Sequence, residues 1–181
     1  ELIIWVPTAQ ACVAILTALV DATPFTLLSP QSSKTKRKNT DMFIRQAEGE
    51  DIQALQKIEE AGFSTDRISA RQMRFHVSNK NAVFLVAAEE PEASIVGYAL
   101  TFMRSHSGTA RLYSIVISND MQGRGLAKAL MSETESLLRT KGIKVWSLEV
   151  DKNDQKTINI YMHYGFAPGS TLPEYYQDGR D

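Results

Sequence analysis

Cysteine is almost absent from this 181-residue chain, where Cys12 stands alone. One cysteine excludes an internal disulfide and any cysteine-built metal cluster. Histidine is nearly as scarce: His76, His106 and His163 are scattered and show no metal-ligand spacing. Neither sign of charge is in excess, since the formal net charge is −1. The total therefore favours neither nucleic acid nor an anionic membrane surface. No Gly-x4-Gly-Lys-Ser/Thr run occurs, which removes a nucleoside-triphosphate loop. What is left is ordinary, with 43% apolar and 23% charged residues, the make-up of a globular protein. The length suits one domain with or without an appendage. A reducing, metal-free cytoplasmic setting is the default expectation.

Residues 1–40 read differently from the rest. Leu2 to Val20 carry no charge, Pro24 and Pro30 follow, and Lys34, Lys36, Arg37 and Lys38 close the stretch. An apolar run of about 19 residues can just span a bilayer, which makes a membrane anchor with a basic flank one reading. Pro7, Thr8, Gln10 and Thr17 dilute that run. A secretory signal fits poorly, because Glu1 stands where a basic region belongs. A disordered or non-native extension and a structured addition are the other readings. With the basic cluster set aside, residues 41–181 are mildly acidic.

From Met42 the pattern becomes regular. Strands are expected at 42–45, 83–88, 95–103, 112–117 and 144–150, with helices at 50–61, 66–78, 125–140 and 154–164 and a last segment after Gly165. Helix-spaced apolar positions are Ile52, Leu55 and Ile58 with Glu59, then Ile68, Met73 and Phe75. On the long helix they are Leu126, Leu130, Thr134, Leu137 and Leu138, and Gly142 ends it. The order β-α-α-β-β-β-α-β-α-β implies an α/β layered sheet of mixed direction.

The stretch from Tyr113 to Lys128 carries the most information. A β-branched run through Ile115, Val116 and Ile117 stops at polar residues, crosses Gln122, Gly123, Arg124 and Gly125, and becomes a helix at Leu126. Backbone N–H groups at such a helix start form an anion site. A dinucleotide fingerprint would need a third glycine and an earlier strand. The short spacing instead suggests a pyrophosphate cradle built from the amides of residues 123–128. Gly125 and Ala127 are small where phosphates must approach the backbone. Arg124 and Lys128 are candidates to add charge, or are solvated side chains.

These residues resemble a known family. Gln122 to Ala127 look like the acetyl-CoA pyrophosphate motif of the GNAT N-acetyltransferase superfamily. Leu148, Glu149, Val150 and Asn153, Ile160-Tyr161 and Gly165-Phe166 are similar to the ribosomal-protein-alanine (RimI-like) acetyltransferases, as are residues 172–181. Asp66 to Ser69 and Ala110 to Ser114 resemble a RimI-like subgroup sometimes fused to a peptidase-like domain. The resemblance covers residues 43–181. Two departures stand out: the family usually has a long side chain where Gly123 stands, and proline where Asn119 stands. The family also continues into a final apolar strand, so a domain at 41–181 is expected to lack its last strand.

The resemblance implies a mixed central sheet with helices on both faces and acetyl-CoA as donor, with no metal. Acetyl transfer to an amine needs a base for the ammonium, a polarised carbonyl and an acid for the leaving thiolate. Glu149 lies in mid-strand on the face opposite Trp146, Leu148 and Val150. Partial burial there would tune it as a base, the role the family's matching Glu implies. A solvated or salt-bridged edge residue is the bland alternative. Tyr161 matches the family's proposed acid, with Tyr164 as decoy, and Thr157, Ile160, Tyr161 and Tyr164 are expected on one helix face. Asn153 is a helix cap, a contact to the pantetheine arm, or both. Ile115, Val116 and Ile117 would offer edge backbone groups to that arm. Phe63, Arg67, Met73, Tyr175, Tyr176, Asp178 and Arg180 are candidate acceptor contacts. The acceptor implied is a protein or peptide N-terminus, with a small amine or a non-catalytic acyl-CoA sensor as alternatives.

Overall fold

The computed structural model describes residues 2–7, 43–63, 67–90 and 94–171. Its strands are β1 (Leu2–Pro7), β2 (Phe43–Gln46), β3 (Ala82–Ala88), β4 (Ile95–Arg104), β5 (Thr109–Ile117), β6 (Val145–Val150) and β7 (Ala167–Thr171). Its helices are α1 (Ile52–Gly62), α2 (Ala70–Val77), α3 (Leu126–Thr140) and α4 (Gln155–His163). All the strands join one seven-stranded sheet in the order β2-β3-β4-β5-β6-β1-β7. The β5–β6 pair is parallel, and the other neighbours are antiparallel.

The strand period of two assigns the two cores. On β3, Val83, Leu85 and Ala87 face one core while Phe84 and Val86 face the other. The first core takes Leu126, Leu130, Met131 and Leu138 of α3 with Ile158 of α4. The second takes Ile52, Leu55 and Ile58 of α1, Ile68, and Met73 of α2. Helices thus cover both faces, as expected of a layered α/β sheet. Sealing β3 from both sides explains why six of its seven residues, from Val83 to Ala88, are buried.

Four expectations need correction. The second helix starts at Ala70 rather than at 66, because the Ser69 side chain accepts from Gln72 N and caps it there. Phe75 is no anchor: it is 65% exposed, and Met73 alone of α2 is buried. Ile160 is also exposed, at 46%, while Ile158 carries the buried face of α4. In the sheet, β5 begins at Thr109, three residues before the expected start.

Residues 2–7, within the stretch whose status the sequence leaves open, form β1 between β6 and β7. Ile3 stands opposite Glu149 and Ile4 opposite Leu148 in that pairing. Residues 8–42, with most of the expected anchor, lie outside the described residues. Among the described residues no helix is long and apolar enough to cross a membrane.

Candidate active site

The site is created by one irregularity in β5. Leu100 of β4 pairs with Ser114, but its neighbour Thr101 pairs with Leu112, which leaves Tyr113 as an extra residue. Such a bulge bends the strand and reverses the side-chain alternation beyond it. Both effects are visible. Ala110 and Leu112 belong to the α3 core, whereas Val116, of the same parity, belongs to the α1 core. The parallel ladder with β6 ends at Leu112 and Leu148, while the ladder with β4 continues to Ile117. Beyond the bulge β5 and β6 therefore part, and the β6-side edge of residues 114–117 is left open. Ile115 and Ile117 pack against the α3 core and Val116 against α1.

Glu149 is the first residue of β6 past the last paired position. Alternation puts it opposite Leu148 and Val150, on the α1 face of the sheet. Its side chain is only 11% exposed and is ion-paired with Arg111 of β5. The sequence pointed to burial alone as the means of tuning this carboxylate. The structure gives it a charged partner, the salt-bridged alternative, at the point where β5 and β6 cease to pair. Arg111 carried no role in the sequence reading. No sequence signal joins the two: Arg111 stands opposite Ser147, which shares Glu149's face two residues earlier on β6, only in the parallel register of β5 with β6.

Below the open edge lies the loop into α3. A 3-10 turn at Asn119–Met121 leads to Gln122, whose Nε2 donates to the Ile117 carbonyl at 3.3 Å and to Asn119 Oδ1 at 3.1 Å. Gln122 therefore straps the loop to the end of β5. Gly123 and Gly125 adopt φ of +75° and +83°, with open space where a Cβ would stand. This left-handed conformation favours glycine at both positions. The first helix-closing bond runs from Ala129 N to the Gly125 carbonyl at 3.0 Å, so the amides of 126–128 precede the ladder. Ser69 and Asp154 cap α2 and α4 with their side chains, but Gly125 caps α3 without one. Ser118 Oγ, at the head of the loop, is buried with no hydrogen-bond partner among the described residues. Uncapped amides, an orphaned hydroxyl and two open glycines fit a phosphate-bearing ligand.

The remaining sequence candidates fall in three groups. Leu126 is buried in the core, Ala127 is half-buried and Lys128 is exposed. Arg124 is exposed, held to the Asp120 carbonyl at 3.3 Å and to Glu89 at 3.9 Å, so its charge is partly engaged. Asn153 does not cap α4. Asp154 does, accepting from Thr157 N at 3.0 Å and Thr157 Oγ1 at 2.6 Å, which holds its carboxyl below the usual range. Asn153 is exposed, and its backbone N donates to Asp151 Oδ1 at 2.8 Å.

Tyr161 on α4 is half-buried, edge-on to Phe166 at 5.9 Å. Burial, with smaller contributions from Tyr164 and Asp154, pushes its phenol up to about 12. It is thus a protonated donor throughout the working range of most enzymes. Tyr164 is also raised by burial. Among the acceptor candidates, Met73 is fully buried and cannot reach a substrate. Phe63 is 37% exposed, and its carbonyl accepts from Arg67 Nε at 2.6 Å. Tyr175, Tyr176, Asp178 and Arg180 lie outside the described residues. No group of metal-ligating side chains is found among the described residues.

A layered sheet splayed at a bulge, with a glycine-opened helix below the cleft, defines an α/β transferase architecture of the kind the motif implies. The model of the acetyltransferase (GNAT) family matches residues 49–166, and the chain belongs to that family. A mycothiol acetyltransferase of Renibacterium salmoninarum is 31% identical over 90 residues, covering 48% of this chain and 26% of that protein. The chain thus aligns with about a quarter of that relative's length. Among solved structures, the ribosomal-protein-S18-alanine N-acetyltransferase from Escherichia coli superposes with a TM-score of 0.66 at 23% identity, over 77% of this chain and 87% of the other. The PaiA N-acetyltransferase from Thermoplasma acidophilum, solved in complex with coenzyme A, gives 0.65 at 18%, over 72% and 92%. At such identities the likeness is one of fold.

Proposed function

We propose that the chain is an acetyl-CoA-dependent N-acetyltransferase that acetylates a primary amine, the N-terminal amine of a protein or peptide first among the acceptors. One observation carries the reading: the β5–β6 ladder ends immediately before Glu149. The half-buried carboxylate therefore stands at the mouth of a cleft whose floor is an open strand edge and whose base is an uncapped helix start.

Bound acetyl-CoA would supply an activated acyl carbon and a thiolate leaving group. The amides of 123–128 and the Ser118 hydroxyl would hold its pyrophosphate, and the open edge at Ile115–Ile117 its pantetheine amides. Gln122 fixes the loop rather than touching phosphate, and Leu126 packs below it. Arg124 and Lys128 would add charge at the surface, and Asn153 would meet the arm from the α4 side. Glu149 takes a proton from the acceptor ammonium. The freed nitrogen forms its bond to the acyl carbon as the carbon–sulfur bond breaks. Tyr161 donates its phenolic proton to the departing sulfur and recovers one from the new amide nitrogen, so one proton is released per turnover. Arg111 steadies the Glu149 carboxylate before the acceptor arrives.

The preference for a peptide N-terminus rests on the RimI-like blocks around Leu148–Asn153 and Tyr161. The mycothiol acetyltransferase relative supports the second reading, a small amine acceptor. A cytoplasmic setting suits either acceptor. A mass-spectrometric screen with acetyl-CoA separates them: Ala- and Met-starting peptides are offered beside polyamines and amino sugars. Acetylated peptide is the expected product. Acetylation confined to small amines would refute the peptide reading. Unchanged turnover in Glu149→Gln would refute the catalytic one and leave an acyl-CoA sensor.

A further inference from the structure

The α1 face holds a buried acidic side chain that this mechanism does not use. Glu59, near the end of α1, is 2% exposed. One carboxylate oxygen accepts from Ile68 N at 2.7 Å, and the other accepts from the Tyr98 hydroxyl of β4. Tyr98 is fully buried, and its hydroxyl lies 2.9 Å from Ser114 Oγ. Because the phenol donates to Glu59, Ser114 is the donor in that second bond. A buried carboxylate is costly unless hydrogen-bonded, and apolar side chains of similar volume often serve stability better. What the chain of bonds joins accounts for its cost. It runs from the residue before the α2 cap, through α1 and β4, to the first residue of β5 past the bulge.

That last point is where β5 is weakest. From Ser114 onward its only ladder neighbour among the described residues is β4, so its tilt depends on what holds it from the α1 face. Packing there is already close. A Cβ on Gly62 would stand 2.8 Å from Val116 Cγ1, and on the opposite, α3 face one on Gly97 would stand 2.6 Å from Ile117 Cδ1. These contacts press on β5, but Ser114 is where a directional bond grips it. We propose that Glu59, Tyr98 and Ser114 form a positioning chain that fixes the open edge of β5 for the donor's pantetheine arm and ties it to the α1–α2 connection. The proposal rests on the acetyl-CoA reading above.

The test is coenzyme A binding by isothermal titration calorimetry on the full chain. The wild type is compared with Tyr98→Phe, Ser114→Ala and the double variant, and with Glu59→Gln, which retains an acceptor for Ile68 N. Tyr98→Phe and Ser114→Ala should each raise the Kd about five- to tenfold, the scale of one lost hydrogen bond. The double variant should be no weaker than either single, because both cut one link. Glu59→Gln should stay near wild type. The acceptor KM at saturating donor should be the same in Ser114→Ala as in wild type. Two single variants with wild-type Kd, or a double variant whose loss is the product of the two, would overturn the chain. A wild type that does not bind coenzyme A would instead overturn the functional reading on which it stands. Should Tyr98→Phe fold poorly, Ser114→Ala with Glu59→Gln still decides the matter.

Discussion

Gly125→Ala gives a sharp test of the loop geometry, because its sign follows from the backbone alone. At φ +83° and ψ 5° Gly125 sits in the left-handed region, as the cap residue of α3. An added methyl would meet nothing within 4 Å, so no clash enters. The cost is purely that of holding an L residue in this conformation, about 1–2 kcal/mol. Gly49, in the 3-10 turn before α1, is the natural control: it also meets nothing within 4 Å, and its φ is not positive. Alanine there narrows the unfolded ensemble and should stabilise by about 0.4–1 kcal/mol. For a domain of this size, thermal melts should show Gly125→Ala lower by about 2–8 °C and Gly49→Ala higher by about 1–4 °C. Gly125→Asn should recover part of the loss, since asparagine tolerates the left-handed region better. A Gly125→Ala melt equal to or above wild type would refute the left-handed turn, and with it the aim of the α3 amides.

Glu149→Gln and Tyr161→Phe should each lower kcat/KM by about 10²–10⁴, the range for a general base or acid, with acetyl-CoA Kd within about twofold of wild type; an unaffected rate in either would remove that residue from the mechanism. Tyr161 also carries a stability signature. Its phenol is raised to about 12, above the usual value of about 10, so the folded state holds its proton more tightly. That stability is fully present below about pH 10 and is lost as pH rises through 12, and urea melts of Tyr161→Phe should decline less steeply across this window. Asp154 has the opposite sign. Its carboxyl is lowered first by the Thr157 hydroxyl and then by the Thr157 amide, so the contribution is present above about pH 4 and is lost on acidification. Asp154→Ala should cost about 1 kcal/mol near pH 7 and progressively less in acid; a constant difference down to low pH would contradict the cap.

The fold was legible where a single period ran unbroken. The helix of Leu126, Leu130, Thr134 and Leu138 and the alternation of Trp146, Leu148 and Val150 both came out as their spacing implied. The glycine loop was legible too, because its residues are chosen for backbone conformation. Tertiary choices were not. The bulge at Tyr113 leaves no compositional mark, yet it opens the cleft and turns Val116 away from Leu112. The Arg111–Glu149 pair joins strands far apart in sequence, and only knowledge of the parallel register brings the two together. Asn153 and Asp154 are equally good caps by type, and the backbone selects the second. β1 was the least foreseeable element, since its six residues lie in a stretch whose composition allowed several fates.

Amide hydrogen exchange with and without coenzyme A tests the central claim most directly. The ligand should slow exchange at the open β5 edge, residues 115–117, and at the α3 start, residues 123–128, while the α2 and α4 starts, capped by their own side chains, stay unchanged. Protection spread evenly over the chain, or concentrated away from these two segments, would contradict the account.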